Sequence, residues 1–188
     1  TPKVSTESAS VAIEVELMNG MNELTSEKFN ELMHEGIRIQ TDILYGEEVV
    51  ATMEGAKSEA VVKEPKLWSP ETPHLYTART RVYKSQESRV KSQELLDERE
   101  TRFGFRTISY TAEKGFQLNG QTRKFKGVCL HHDLGPLGAA IHKDALRHQI
   151  AILQEMGCDA IRTSHNMPAP ELVELCDEMG MMMMIEPF

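Results

Sequence analysis

The sequence predicts a mixed β and α/β chain: an antiparallel β-sandwich, then a run in the order strand, helix, strand, helix, strand. Three observations carry that prediction. Up to about Tyr110 the apolar residues recur with period two, the spacing of strands that bury one face. Beyond it, two segments hold apolar residues at helical spacing, and a glycine closes each. Between and after them lie short apolar runs ending in polar side chains, as strands of an α/β sheet do where they deliver a site.

In the first half, Val11, Ile13, Val15 and Leu17 alternate with Ala12, Glu14 and Glu16, and Ile37, Ile39 and Ile43 recur in the same way. Val49–Met53, Glu59–Lys63, Leu75–Tyr83 and Glu98–Thr107 are further strands, with Asn19-Gly20 and Tyr45-Gly46 as turns. Short strands at this spacing make an antiparallel sandwich. Glu23–His34 places Phe29, Leu32 and Met33 on one helical face, yet a segment connecting two strands is the preferred reading. In LWSPETPHLY, Pro70 and Pro73 forbid regular structure, so a corner packed by Trp68 and Tyr76 is expected.

In the second half, Phe116–Leu118 and Arg123–Phe125 flank Asn119-Gly120, a hairpin turn signal. Phe125–Leu130 is a buried strand ending in His131, His132 and Asp133. His142–Met156 carries Ala145, Leu146, Ile150, Leu153 and Met156 at helical spacing, and Gly157 supplies the left-handed stop. Cys158–Ile161 runs straight into Arg162, Thr163, Ser164, His165 and Asn166. Pro170 opens a second helix that presents Leu172, Val173, Leu175 and Cys176 and stops at Gly180. Met181–Ile185 is a third buried strand, with Glu186 at its end. Thioethers bind soft copper, but a parallel strand is apolar on both faces, so the methionine run reads as core packing.

Composition narrows the function classes. With 188 residues, 40% of them hydrophobic, the chain can fill one ordinary core or two small ones. Its 21 Lys and Arg against 29 Asp and Glu give a net charge of -8, which offers no footing for nucleic acid or an anionic membrane. No apolar run approaches the roughly 18 residues of a membrane span. The N-terminus lacks the basic-then-apolar order of a signal peptide, so a soluble protein is expected, cytoplasmic or, with a signal already removed, periplasmic or secreted. Cys129, Cys158 and Cys176 are an odd number without CxxC spacing, which argues against a disulfide framework or structural zinc and for buried thiols.

IRTSHN (Ile161–Asn166), then Pro168, ELCDEMG and an apolar strand ending in Glu186 resemble strand 2, helix 2 and strand 3 of the barrel in glycoside hydrolase family 2, the β-galactosidase and β-glucuronidase family. LWSPETPHLY, Phe103-Gly104-Phe105-Arg106 and GFQLNGQTRKFKGVCLHHD resemble that family's signatures in the same order. Together they span about Val61 to Phe188. The resemblance implies an immunoglobulin-like sandwich over residues 1–108 and, over 109–188, the first three strands and two helices of a truncated (β/α)8 TIM barrel. KGVCLHHDLGPLGAA resembles sequences labelled β-galactosidase more than the HEDADIRGKG pattern of glucuronidases.

Barrel active sites lie at the C-terminal ends of the strands. By the resemblance, His131, Asp133 and His165 line the sugar pocket, Arg162 supports the carboxylate machinery, and Glu186 matches a supporting acid of strand 3; Asn166, at the same strand end, adds a donor and acceptor by its own chemistry. The residue types suit the task, since sugar hydroxyls need paired donors and acceptors, and an arginine holds a neighbouring carboxylate ionised. His132 reads as a strand-end residue facing out. Ser164 lacks a partner that would make it a nucleophile, and the histidines lack HExxH or comparable metal spacing.

Retaining glycosidases need two carboxylates about 5 to 5.5 Å apart. In the family these are a glutamate in an Asn-Glu motif ending strand 4 and a glutamate ending strand 7, both expected beyond Phe188, as the sugar-binding jelly-roll domain is expected before Thr1. No catalytic residue is therefore assigned, and no turnover is expected from these 188 residues. They carry no cofactor site either; a divalent metal is left to the full enzyme. The parent is expected to act on a β-galactoside or a related oligosaccharide, β-glucuronidase and β-mannosidase relatives being the alternatives. A piece that stands alone as a non-catalytic carbohydrate-binding or interaction module is the reading from another class. An unclosed sheet would also leave bare edges open to self-association. Cys129 and Leu130 stand where many members have Asn and Arg, Met167 where proline is common, and Ile185 where an aspartate usually precedes the glutamate.

Overall fold

Alternating side chains in the first half fold as antiparallel strands. The structure is a computed structural model and describes residues 4–19, 22–23, 28, 32, 34, 36–85 and 93–187. The strands are β1 (Ser8–Glu14), β2 (Met18–Asn19), β3 (Asn22–Glu23), β4 (Ile37–Tyr45), β5 (Glu48–Glu54), β6 (Lys57–Lys63), β7 (Tyr76–Ser85) and β8 (Gln93–Phe103). One sheet has the order β5-β4-β7-β8, a second pairs β1 with β6, and β2 pairs with β3. Ile37, Ile39, Thr41 and Ile43 alternate into the core, where Ala9, Met53, Val62 and Ala78 are also buried. The opposite face of β4 carries Asp42, which accepts from Gln40 Nε2 (3.0 Å), Thr52 Oγ1 (2.8 Å) and Arg81 Nη1 (3.0 Å), so its buried charge is fully partnered.

β8 is an edge strand, exposed along nearly all its length and rich in charge. It starts and stops earlier than the expected Glu98–Thr107, because its start is set by pairing with β7 and not by burial. The Tyr45-Gly46 turn joins β4 to β5. The Asn19-Gly20 turn and the connecting segment Glu23–His34 lie for the most part outside the described residues.

The chain divides into two compact units, Thr1–Pro65 with Tyr76–Phe103, and Lys66–Leu75 with Gly104–Phe188. Of the two residues expected to pack one corner, Tyr76 falls in the first unit and Trp68 in the second. Tyr76 is the first residue of β7 and packs its ring on Tyr45 and Phe103 at 5.1 and 5.9 Å. Trp68 is buried in the second unit with Leu118, Ala160 and Met182.

The second unit holds the antiparallel strands β9 (Ile108–Thr111), β10 (Gly115–Leu118) and β11 (Gln121–Thr122), then β12 (Gly127–Leu130), α1 (Lys143–Glu155), β13 (Ala160–Thr163), α2 (Pro170–Met179) and β14 (Met182–Ile185). Asn119 and Gly120 both take positive φ, 51° and 76°, and this two-residue turn brings Gln121 opposite Leu118. The return strand accordingly precedes the expected Arg123–Phe125. β12, β13 and β14 pair in that order and in parallel, an open sheet with a helix between successive strands.

Alternation assigns each face of this sheet. Ile161 and Met181 meet Leu146, Ile150, Leu153, Leu172 and Leu175 of the helices, with Val128, Leu130 and Met183 against the same cluster. Ala160 and Met182 face Trp68 and Leu118 on the other side. Gly127 lies so close to Ala160 O that a Cβ there would stand 2.1 Å from it, which excludes any side chain at that register position. The methionine run is core only in part: Met181 and Met182 are buried, whereas Met184 is 49% exposed on an edge strand. The thiols differ likewise, with Cys176 buried, Cys158 half-buried and Cys129 exposed, because Cys129 alternates with Val128 and Leu130 onto the face away from the helices.

Candidate functional site

Register places the polar strand ends beside one another. Cys129 pairs with Arg162, and Arg162 with Met184, so these three form one layer across the face away from the helices. Two residues on, Ser164 and Glu186 continue the same alternation. Arg162 reaches from its layer to this next one. Its Nη1 donates to Ser164 Oγ (3.2 Å) and lies 3.5 Å from Cys129 Sγ. Its Nη2 stands 2.6 Å from Glu186 Oε2, an ion pair angled outside hydrogen-bond geometry.

His165 approaches the same carboxylate from the loop after β13. Its Nδ1 is 3.0 Å from Glu186 Oε1. This hydrogen bond, with the charge of Arg162 behind it, holds the Glu186 carboxyl below its ordinary range. The backbone is fixed as well, since Glu186 N donates to the buried Thr163 Oγ1 at 3.3 Å. Cys129 and Glu186 in turn raise the pKa of Arg162, and Arg162 with Ser164 lowers that of the Cys129 thiol. The arrangement keeps an anionic carboxylate between a guanidinium and an imidazole at the open end of the sheet.

Of the six residues singled out in the sequence, Arg162, His165 and Glu186 form this cluster directly. His131 joins it through His165, ring centroids 6.0 Å apart and edge-on at 63°. Asn166 belongs to a neighbouring contact: its Nδ2 donates to His132 Nδ1 at 3.1 Å. Asp133 lines the same small cleft as His131, His132 and Asn166, and its Oδ1 accepts from Gly135 N at 2.7 Å to start a short 3₁₀ turn, Gly135–Leu137. His132, expected to face out without a role, is exposed but partnered on both ring nitrogens. Thr163, Ser164 and Cys129 also touch the cluster, and their signal in the sequence was only their place on the strands. Among the described residues no group of three or more His, Cys, Asp or Glu could hold a metal ion. No helix of the described residues is long and apolar enough to cross a membrane.

Comparisons with known proteins agree with this fold. Residues 1–106 match the model of glycosyl hydrolases family 2, and residues 110–187 that of the family's TIM barrel domain. Beta-galactosidase BoGH2A of Bacteroides ovatus is 48% identical over 143 residues, 76% of this chain and 15% of that protein. A putative beta-glucuronidase of Formosa agariphila is 37% identical over 189 residues, covering 100% of this chain and 17% of its own length. The crystal structure of a beta-glycosidase from Bacteroides vulgatus superposes with a TM-score of 0.82 at 32% identity, over 100% of this chain and 23% of that one. The chain thus spans about a sixth of these curated relatives, 15% and 17% of their lengths. An immunoglobulin-like sandwich followed by the start of a TIM barrel, together with two family models that cover nearly every residue, makes this chain a member of glycosyl hydrolases family 2.

Proposed function

We propose that the chain is part of a retaining glycosidase that acts on β-galactosides, and that its strand ends form one wall of the sugar pocket. The observation that carries this reading is the 48% identity to a protein named beta-galactosidase, over a stretch of 143 residues. His131, Asp133, Arg162, His165, Asn166 and Glu186 are the sugar-facing and supporting groups. Glu186 stays anionic between Arg162 and His165 and accepts from sugar hydroxyls or orients a neighbouring donor. A glucuronide would bring its own carboxylate and require a cation to receive it. The guanidinium of Arg162 is already engaged by Glu186, which favours a neutral sugar.

Double displacement needs two carboxylates about 5 to 5.5 Å apart, one as acid and then base, the other as nucleophile. Glu186, committed to Arg162 and His165, fills neither role, and Asp133 is engaged by its own turn. The 188 residues alone are therefore read as non-catalytic. The test offers nitrophenyl β-galactoside and nitrophenyl β-glucuronide side by side to a full-length polypeptide carrying this sequence. A kcat/KM at least tenfold higher for the galactoside is expected, and equal or reversed values would overturn the assignment. The 188-residue chain should hydrolyse neither substrate, and turnover abolished by Glu186→Gln would refute its non-catalytic reading.

A further inference from the structure

His131 with His165 and His132 with Asn166 are two contacts made by successive residues of the same two loops. The first brings imidazoles edge to face at 6.0 Å. The second is a hydrogen bond of 3.1 Å beside a cleft of about 50 Å³ whose walls include Leu130, Leu146 and Leu172. The chemistry of the second contact is fully determined. Asn166 Nδ2 donates both to His132 Nδ1 and, at 3.1 Å, to Met167 O. Turning the amide over would set its oxygen against the Met167 carbonyl, so Nδ2 stays where it is. His132 Nδ1 must then be the acceptor. The ring proton sits on Nε2, which lies 3.3 Å from Ala139 O, a group that can only accept. Every donor in the chain Asn166, His132, Ala139 meets an acceptor, and one tautomer alone allows it.

We propose that His132 is a positioning residue: held as the Nε2–H tautomer between Ala139 and Asn166, it ties the loop after β12 to the loop after β13 and so sets the spacing of His131 from His165. The inference rests on the sugar-pocket reading for its consequence, since His131 and His165 are the groups that reading places on the sugar. Its geometry stands independently. The tie spans from residue 132 to 166 and also reaches the intervening turn at Ala139, so it links the three segments that frame the rim.

The test is ¹⁵N NMR of the imidazoles in the 188-residue chain, without sugar, at a mildly alkaline pH where imidazoles are neutral. The native chain should show His132 with Nδ1 unprotonated and Nε2 protonated. Asn166→Asp replaces the donor with an acceptor of the same shape and should move the His132 proton to Nδ1. Each truncation is read on the opposite loop: His132→Ala should shift the His165 ring resonances, and Asn166→Ala those of His131. His132→Asn, whose side-chain oxygen can accept from Asn166, should return His165 toward its native position. A native Nδ1–H tautomer, or His165 unmoved by His132→Ala, would overturn the proposal. No sugar enters the measurement, so loss of the glycosidase reading would leave these outcomes unchanged, and loss of the tie would leave hydrolysis by the parent enzyme to be judged on its own assay.

Discussion

Glu186 collects its partners from a single neighbouring strand: Arg162 and Thr163 within β13 and His165 just past its end. Its carboxyl titrates below the ordinary 4.5, because the His165 hydrogen bond and the Arg162 charge favour the anion. A group with a lowered folded pKa stabilises the native state fully above its unfolded value, and that contribution fades as pH falls through the folded value. Glu186→Gln should therefore lower Tm relative to the native chain at neutral pH, and the gap should close below about pH 4. Thermal melts across that range measure it, and a gap that stays constant into acid would contradict the role given to the carboxylate. The meeting of Arg162, His165 and Glu186 was legible in the sequence because each stands at or just past the C-terminal end of an apolar run. The link of His132 to Asn166 was not, since it joins loops whose side chains no longer follow strand alternation. Cys129 was misread as buried for a related reason: an apolar run tells that a strand is inside a sheet, but not which face meets the helices.

The two helices were legible almost to the residue, His142–Met156 expected against Lys143–Glu155 found, and Pro170–Met179 as found, because helical periodicity and a glycine stop agree at each end. β9 and β11 were not. All four residues of β9 are exposed and β11 has only two, so neither leaves an alternation to detect. The end of α2 shows how tightly an element can be specified. Gly180 takes φ 78° as the left-handed cap, and a Cβ there would stand 2.3 Å from Pro70 O. Beside it, Trp68 Nε1 donates at 2.9 Å to Asp177 O, one of the carbonyls a helix end leaves unpaired. Gly180→Ala should cost about 2 kcal/mol or more, left-handed strain plus displacement of Pro70. Trp68→Phe, which keeps most of the buried ring but loses the donor, should cost about 1 to 3 kcal/mol. Urea unfolding midpoints separate these, and a Gly180→Ala midpoint equal to the native one would remove the cap from the account.

At the scale of the whole chain, the parallel sheet is the incomplete part. Among the described residues, β12 and β14 each pair on one side only, through β13. Their free edges present unpaired backbone donors and acceptors, and β14 adds Met184 and Ile185, 49% and 43% exposed. Such an edge is a template for another strand, and the devices that usually blunt it, lysine, proline or a bulge, are absent from MMMI. The 188 residues are therefore expected to self-associate through β14 or β12, giving a light-scattering mass above the 21.2 kDa of one chain. Placing a lysine on each exposed position, Met184→Lys with Ile185→Lys, charges the edge and should return the mass to that of the monomer. If the doubly substituted chain remains associated, the contact lies on the β12 edge or on β8, which is also an edge and exposes Leu95 and Leu96, and these are the next surfaces to change. A native chain that scatters as a monomer at every concentration tried would mean that neither bare edge of the sheet recruits a partner.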